Sequence, residues 1–213
     1  MATNPQESFQ KFLEELDEYF LQNWKHLTGA DIYHFYDAVF KILKEVKGNS
    51  NGFTGLSELL IWKIVWHQLG GKFKRVPLAN DMLKFQSLDD PRICIGQSIE
   101  VSVKGKRRYP DISIYYSDKL TAVVSIKLYL TNGSKTLYDE LSKFKELKEG
   151  YPDNDIRILL IIYGLSAKGK TQKELDKIES ENDWFKYLIL NNKQSIMSEK
   201  LREYLGLDRI GIV

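Results

Sequence analysis

A chain of 213 residues, 43% hydrophobic and 28% charged, is long enough to bury one core and too apolar to be disordered. Its single cysteine, Cys94, excludes an internal disulfide and any Cys-rich zinc site, and the three histidines (His26, His34, His67) form no ligand pair at a useful spacing. A formal net charge of +2 is too mild to establish a nucleic-acid partner by itself.

The longest apolar run, Ile158 to Tyr163, suits a buried strand and is far too short to cross a bilayer. Met1-Ala2-Thr3-Asn4-Pro5 has neither a basic nor an apolar leader pattern, so the reading predicts a cytoplasmic protein with no membrane partner. The charge is unevenly spread. Glu7, Glu14, Glu15, Asp17 and Glu18 make the first segment acidic, whereas Lys104, Lys106, Arg107 and Arg108 form one basic cluster and Lys72, Lys74 and Arg75 another. Both clusters suit phosphate backbones, and both also suit ordinary solvated turns.

In chain order, Asn4-Pro5-Gln6-Glu7 reads as a helix start, with the helix running to about Trp24. A second helix is predicted from Asp31 to the stop at Gly48. The third, from Thr54 to Gly70-Gly71, is apolar nearly all round and must pack on several sides; Glu58 shares the face of Ile61, Trp62 and Val65. Lys72 to Gly96 reads as irregular, with a short helix around Asp81 to Phe85. Three strands follow: Gln97 to Val103, Tyr109 to Tyr116 after a turn at Gly105, and Leu120 to Leu130 after the turn Ser117-Asp118-Lys119. Asn132-Gly133-Ser134 caps a helix carrying Leu137, Leu141, Phe144 and Leu147, and Ile156 to Tyr163 reads as a central strand. A helix from Thr171, a strand from Trp184 to Leu190 and a helix from Ser195 to Tyr204 complete the chain. The predicted organisation is residues 1–50 as a helical extension packed on a core of residues 51–213, one α/β domain overall.

Period-two alternation puts Asp111, Ser113 and Tyr115 on one face of their strand, and Ser125, Lys127 and Tyr129 together on one face of theirs. Lys127 interrupts an otherwise apolar strand, where an ammonium is costly unless paired. An Asp and a Lys on adjacent strands, with a helix glutamate nearby, can hold Mg²⁺ and orient a water on a phosphodiester. The plainer reading is an edge-strand lysine reaching solvent and an aspartate finishing a turn.

On these residues, Glu58, Pro110-Asp111 and Ser125-Ile126-Lys127 within the order helix–strand–strand–strand–helix–strand, the segment Phe53 to Tyr163 resembles the PD-(D/E)XK nuclease superfamily. Within it the look is nearest to archaeal Holliday-junction resolvases and nuclease-like proteins of archaeal spindle-shaped viruses. The resemblance implies a restriction-endonuclease-like αβββαβ core with a mixed central sheet. It also implies one Mg²⁺ (or Mn²⁺) ion, duplex or branched DNA as partner, and a homodimer as an allowed assembly. Asp111 and Glu58 would be metal ligands with the Ile126 carbonyl as a third, and Lys127 would orient the water. The departure is Ser125, which stands where the family has an acid; Glu100 and Glu140 are the candidates to replace it.

Gly164-Leu165-Ser166-Ala167-Lys168-Gly169-Lys170-Thr171 competes with that motif, being a literal match to G-x-x-x-x-G-K-[ST] between a strand and a helix. Only 42 residues follow it and no Asp ends the next strand, so a lysine-rich loop with Thr171 as helix cap is the plainer reading, with Lys168 or Lys170 able to touch phosphate. Three functions are thus in view: a metal-dependent DNA phosphodiesterase, a catalytically inactive DNA-binding module of the same fold, and a nucleotide-binding protein.

Overall fold

The computed structural model describes residues 5–47, 54–77, 83–97, 101–103, 106–108, 110–130, 135–151, 155–165, 169–191 and 195–210. Three helices come first: α1 (Pro5–Asn23), α2 (Gly29–Lys47) and α3 (Thr54–Gln68). α2 begins two residues before Asp31 because Thr28 caps it reciprocally: the Thr28 N–H donates to Asp31 Oδ2 at 2.8 Å, and the Asp31 N–H donates to Thr28 Oγ1 at 3.2 Å.

The strands are β1 (Phe73–Val76), β2 (Leu83–Ser87), β3 (Ile93–Gln97), β4 (Val101–Val103), β5 (Lys106–Arg108), β6 (Ile112–Tyr116) and β7 (Lys119–Leu130). Then follow α4 (Lys135–Gly150), β8 (Arg157–Leu165), α5 (Lys170–Glu181), β9 (Phe185–Ile189), α6 (Met197–Leu205) and a 3₁₀ turn, Leu207–Ile210. Seven strands form one mixed sheet in the order β1-β2-β3-β6-β7-β8-β9, antiparallel as far as β7 and parallel from β7 through β9. β6 and β7 are joined by Ser117 and Asp118 with φ of 50° and 62°, the positive pair that a two-residue turn between twisted strands requires.

Two expectations need correction here. Residues 72–96 hold β1, β2 and most of β3, with strand at Leu83–Ser87 where a short helix was expected. Phe73 and Phe85 anchor this extension, their rings 4.4 and 5.1 Å from that of Trp66 on α3, a long-range contact that local periodicity does not report. The strand beside β6 is Ile93–Gln97, with Ile95 opposite Ile114, whereas β4 and β5 pair only with each other in a separate ribbon. The buried run Ile93-Cys94-Ile95 takes the central place because it is the apolar one.

The sheet is covered on both faces. Residues of α1, α2, α3 and α6 pack with Ile112, Ile114, Val124, Ile126, Leu159 and Ile161 on one side. α4 and α5 pack with Val123, Leu160 and Ile162 on the other. α3 is enclosed by α1, α2, α6 and β7, and its Leu60, Ile61, Ile64 and Val65 are fully buried. Truncating any one of them to alanine costs about 2–5 kcal/mol by the usual cavity penalty. Among the described residues, no helix is long and apolar enough to cross a membrane.

Candidate functional site

β7 passes through the middle of the sheet, so its side chains alternate between two interiors. Val124 and Ile126 enter the α3 side, while Ser125 and Lys127 face α4. The β6–β7 ladder ends at the Ile112–Val124 pair. Asp111 lies one residue beyond, level with Ser125, at the point where the two strands part. Its Oδ2 accepts the Ile126 N–H at 2.5 Å, and the Ser125 side chain hydrogen-bonds the same carboxylate. In an extended strand the N–H and C=O of one residue point to the same edge, so the Ile126 carbonyl also looks toward Asp111.

α4 closes the site from above. Glu140 lies on the helix's apolar stripe with Leu137, Leu141 and Phe144, and is only 7% exposed. Its Oε1 is 3.3 Å from Lys127 Nζ and 2.8 Å from Lys143 Nζ. Asp111, Ser125, Lys127, Glu140 and Lys143 line one cavity of about 300 Å³, together with Pro110 and an apolar wall of Val123, Phe144 and Leu147.

The two carboxylates are driven apart in acidity. Burial raises the Asp111 pKa, with the Glu140 charge adding to the rise, against the pull of the Ile126 N–H and Lys127. Burial pushes Glu140 up as well, but the Lys143 hydrogen bond and the charges of Lys127 and Lys143 outweigh it and leave Glu140 below its ordinary value. Glu140 is therefore the ionised partner and Asp111 the group that more readily takes a proton.

The predicted site residues are only partly united. Asp111, Ser125, Lys127 and the Ile126 backbone meet, and of the two candidate acids Glu140 joins them, while Glu100 lies outside the described residues. Glu58 does not line the cavity: α3 covers the opposite face of the sheet, because its apolar circumference packs on Val124 and Ile126 and not on the face that carries Lys127. Nor is Lys127 on an edge strand; it is on a central one and is paired. Lys143 was not anticipated. Its signal was the spacing of three from Glu140, an acid sitting on an otherwise apolar helix stripe.

Of the basic clusters, Lys72, Lys74 and Arg75 are exposed at the β1 edge of the sheet, four strand spacings from β7, roughly 20 Å away. Lys106, Arg107 and Arg108 form β5, whose partner β4 runs beside α4; Lys104 lies outside the described residues. In the Gly164 to Thr171 segment, residues 166–168, including Lys168, also lie outside them. α5 starts at Lys170 with Gly169 as its N-cap, so Thr171 is not the cap; it is fully buried inside the first turn.

Among the described residues no cluster of three or more His, Cys, Asp or Glu is able to hold a metal ion. The cavity offers two carboxylates and a hydroxyl, all hard oxygen donors. That set fits Mg²⁺, which commonly takes one or two carboxylates and completes its shell with water and substrate phosphate. The chain matches no protein-family model, no curated protein and no solved structure. The fold and site define it as an α/β protein with a mixed seven-stranded sheet and a charged cavity between β6, β7 and α4.

Proposed function

We propose that this chain is a Mg²⁺- or Mn²⁺-dependent DNA phosphodiesterase of the PD-(D/E)XK type, acting on duplex or branched DNA in the cytoplasm. One observation carries the reading: an aspartate and a lysine on neighbouring central strands share a cavity with a buried glutamate from the helix that follows. With β1, β2 and the β4–β5 ribbon taken as additions, the succession α3, β3, β6, β7, α4, β8 supports it, being the order of a restriction-endonuclease-like core.

In this reading Asp111, Glu140, the Ile126 carbonyl and the Ser125 hydroxyl hold the ion, and Glu140 supplies the charge that Ser125 lacks. Bound there, a divalent ion would polarise the phosphoryl oxygen and activate a water. The Ile126 N–H fixes Asp111 by one oxygen and leaves the other for coordination. Lys127, held by Glu140 at 3.3 Å, brings an ammonium to the cavity, where it orients the attacking water or neutralises charge on the phosphate. Phe144 and Leu147 form an apolar wall that limits water beside the reacting groups.

The test is cleavage of duplex and four-way-junction DNA in Mg²⁺ and Mn²⁺ by the parent, Asp111→Asn and Lys127→Ala. Metal-dependent cutting by the parent and none by either variant is expected. Binding without cutting would make the chain an inactive DNA-binding module, and neither binding nor cutting would end the nucleic-acid reading.

A further inference from the structure

Glu140 is engaged twice by one oxygen. Its Oε1 accepts Lys143 at 2.8 Å and faces Lys127 at 3.3 Å, so two ammonium groups share a single buried acceptor. The lysines differ in freedom. Lys127 rises from a central strand and its side chain is 28% exposed, whereas Lys143, one helical turn beyond Glu140, is 45% exposed at the cavity's rim.

We infer that Lys143 is a positioning residue that trades Glu140 for substrate phosphate when a divalent ion enters the cavity. The inference rests on the metal-dependent reading above. A dication drawing on Glu140 competes for the oxygen that Lys143 uses and repels an ammonium so close to it. Lys127 stands on a central strand with 28% of its side chain exposed and has little room to leave. Lys143 has the same four-carbon stem but stands on the helix with 45% of it exposed, so it is the one that swings outward. The released ammonium then stands at the rim, on the side from which a phosphate reaches Asp111 and Lys127. Without the ion the Lys143–Glu140 pair keeps the rim lysine off phosphate, so ion and DNA binding reinforce each other.

The experiment uses Ca²⁺ calorimetry on the full chain, then DNA binding with and without Ca²⁺ across a salt series, for the parent, Lys143→Ala and Lys143→Arg. Lys143→Ala is expected to bind Ca²⁺ about threefold more tightly, the scale of one partly exposed ion pair. Its DNA affinity in Ca²⁺ should fall at least threefold, and its salt slope should decrease by about 0.9, one phosphate contact. Without Ca²⁺ its DNA affinity should match the parent's, and Lys143→Arg should behave as the parent throughout. Unchanged Ca²⁺ affinity in Lys143→Ala, or a DNA loss equal with and without Ca²⁺, overturns the inference and leaves the metal reading standing. A parent that binds no Ca²⁺ overturns this inference, and one that binds no Mg²⁺ or Mn²⁺ either overturns the metal reading itself.

Discussion

Asp111 replaces a rung of the sheet: where β6 leaves β7, its carboxylate and not a backbone carbonyl accepts the Ile126 N–H, at 2.5 Å. The strands can therefore part without orphaning a buried donor. The gap they leave becomes the cavity, and the residue that repairs the ladder is the one that lines it.

That arrangement holds a buried carboxylate with a raised pKa, so it should cost stability above the ordinary aspartate range. A raised carboxyl favours the folded state at low pH and loses that contribution as pH rises through the folded pKa. Asp111→Asn keeps an acceptor for Ile126 and removes the charge. The variant should melt above the parent at pH 7, the gap closing toward pH 4, and should lose divalent-ion binding. Thermal melts across pH and calorimetry check both; a variant less stable at pH 7 contradicts the assignment of the strain to Asp111.

Glu140 has the opposite sign. Its pKa is depressed, so its contribution is present above the ordinary glutamate range and disappears as pH falls through the lower folded value. Glu140→Gln leaves Lys127 and Lys143 without their shared carboxylate. Because Lys127 is nearly a third exposed, the expected loss at pH 7 is about 1–2 kcal/mol and not the full penalty of a buried broken pair. Denaturant midpoints at pH 7 and pH 3 measure it, and the difference from the parent should shrink at the lower pH.

Positions 125 and 140 should be interchangeable as the place of one carboxylate, since both face the same cavity. Ser125→Ala alone should leave ion affinity within about threefold, since a hydroxyl is a weak ligand beside two carboxylates. Glu140→Ala should abolish ion binding, and adding Ser125→Glu to it should restore part, because that residue faces the same cavity. Calorimetry with Mn²⁺ on the single and double variants decides the point; a folded double variant with no recovery would remove position 125 from the ligand set.

Away from the site, the Tyr163 hydroxyl donates to the Ser57 carbonyl at 2.8 Å, tying β8 to the first turns of α3, and Tyr163 is 1% exposed. Tyr163→Phe removes that hydrogen bond while the Ser57 carbonyl stays in the α3 backbone, and should cost about 0.5–1.5 kcal/mol in denaturant unfolding. Ion binding at Asp111 should be untouched, since Tyr163 packs on the opposite face of the sheet.

The features legible from residues alone are those whose cause is local. The all-apolar circumference of α3, the Ser117-Asp118 turn and the continuous apolar run of β8 each announce themselves within a dozen residues. Strand alternation likewise put Ser125 and Lys127 on one face and singled out Asp111. What depended on the folded chain was which helix meets which face. α4 carries the chain from β7 to the parallel β8, and that crossover puts Glu140 over Lys127 while α3 takes Glu58 to the other side. β1 and β2 were hidden for the same reason: Phe73 and Phe85 are strand residues because Trp66, far back on α3, gives their rings a surface to bury against.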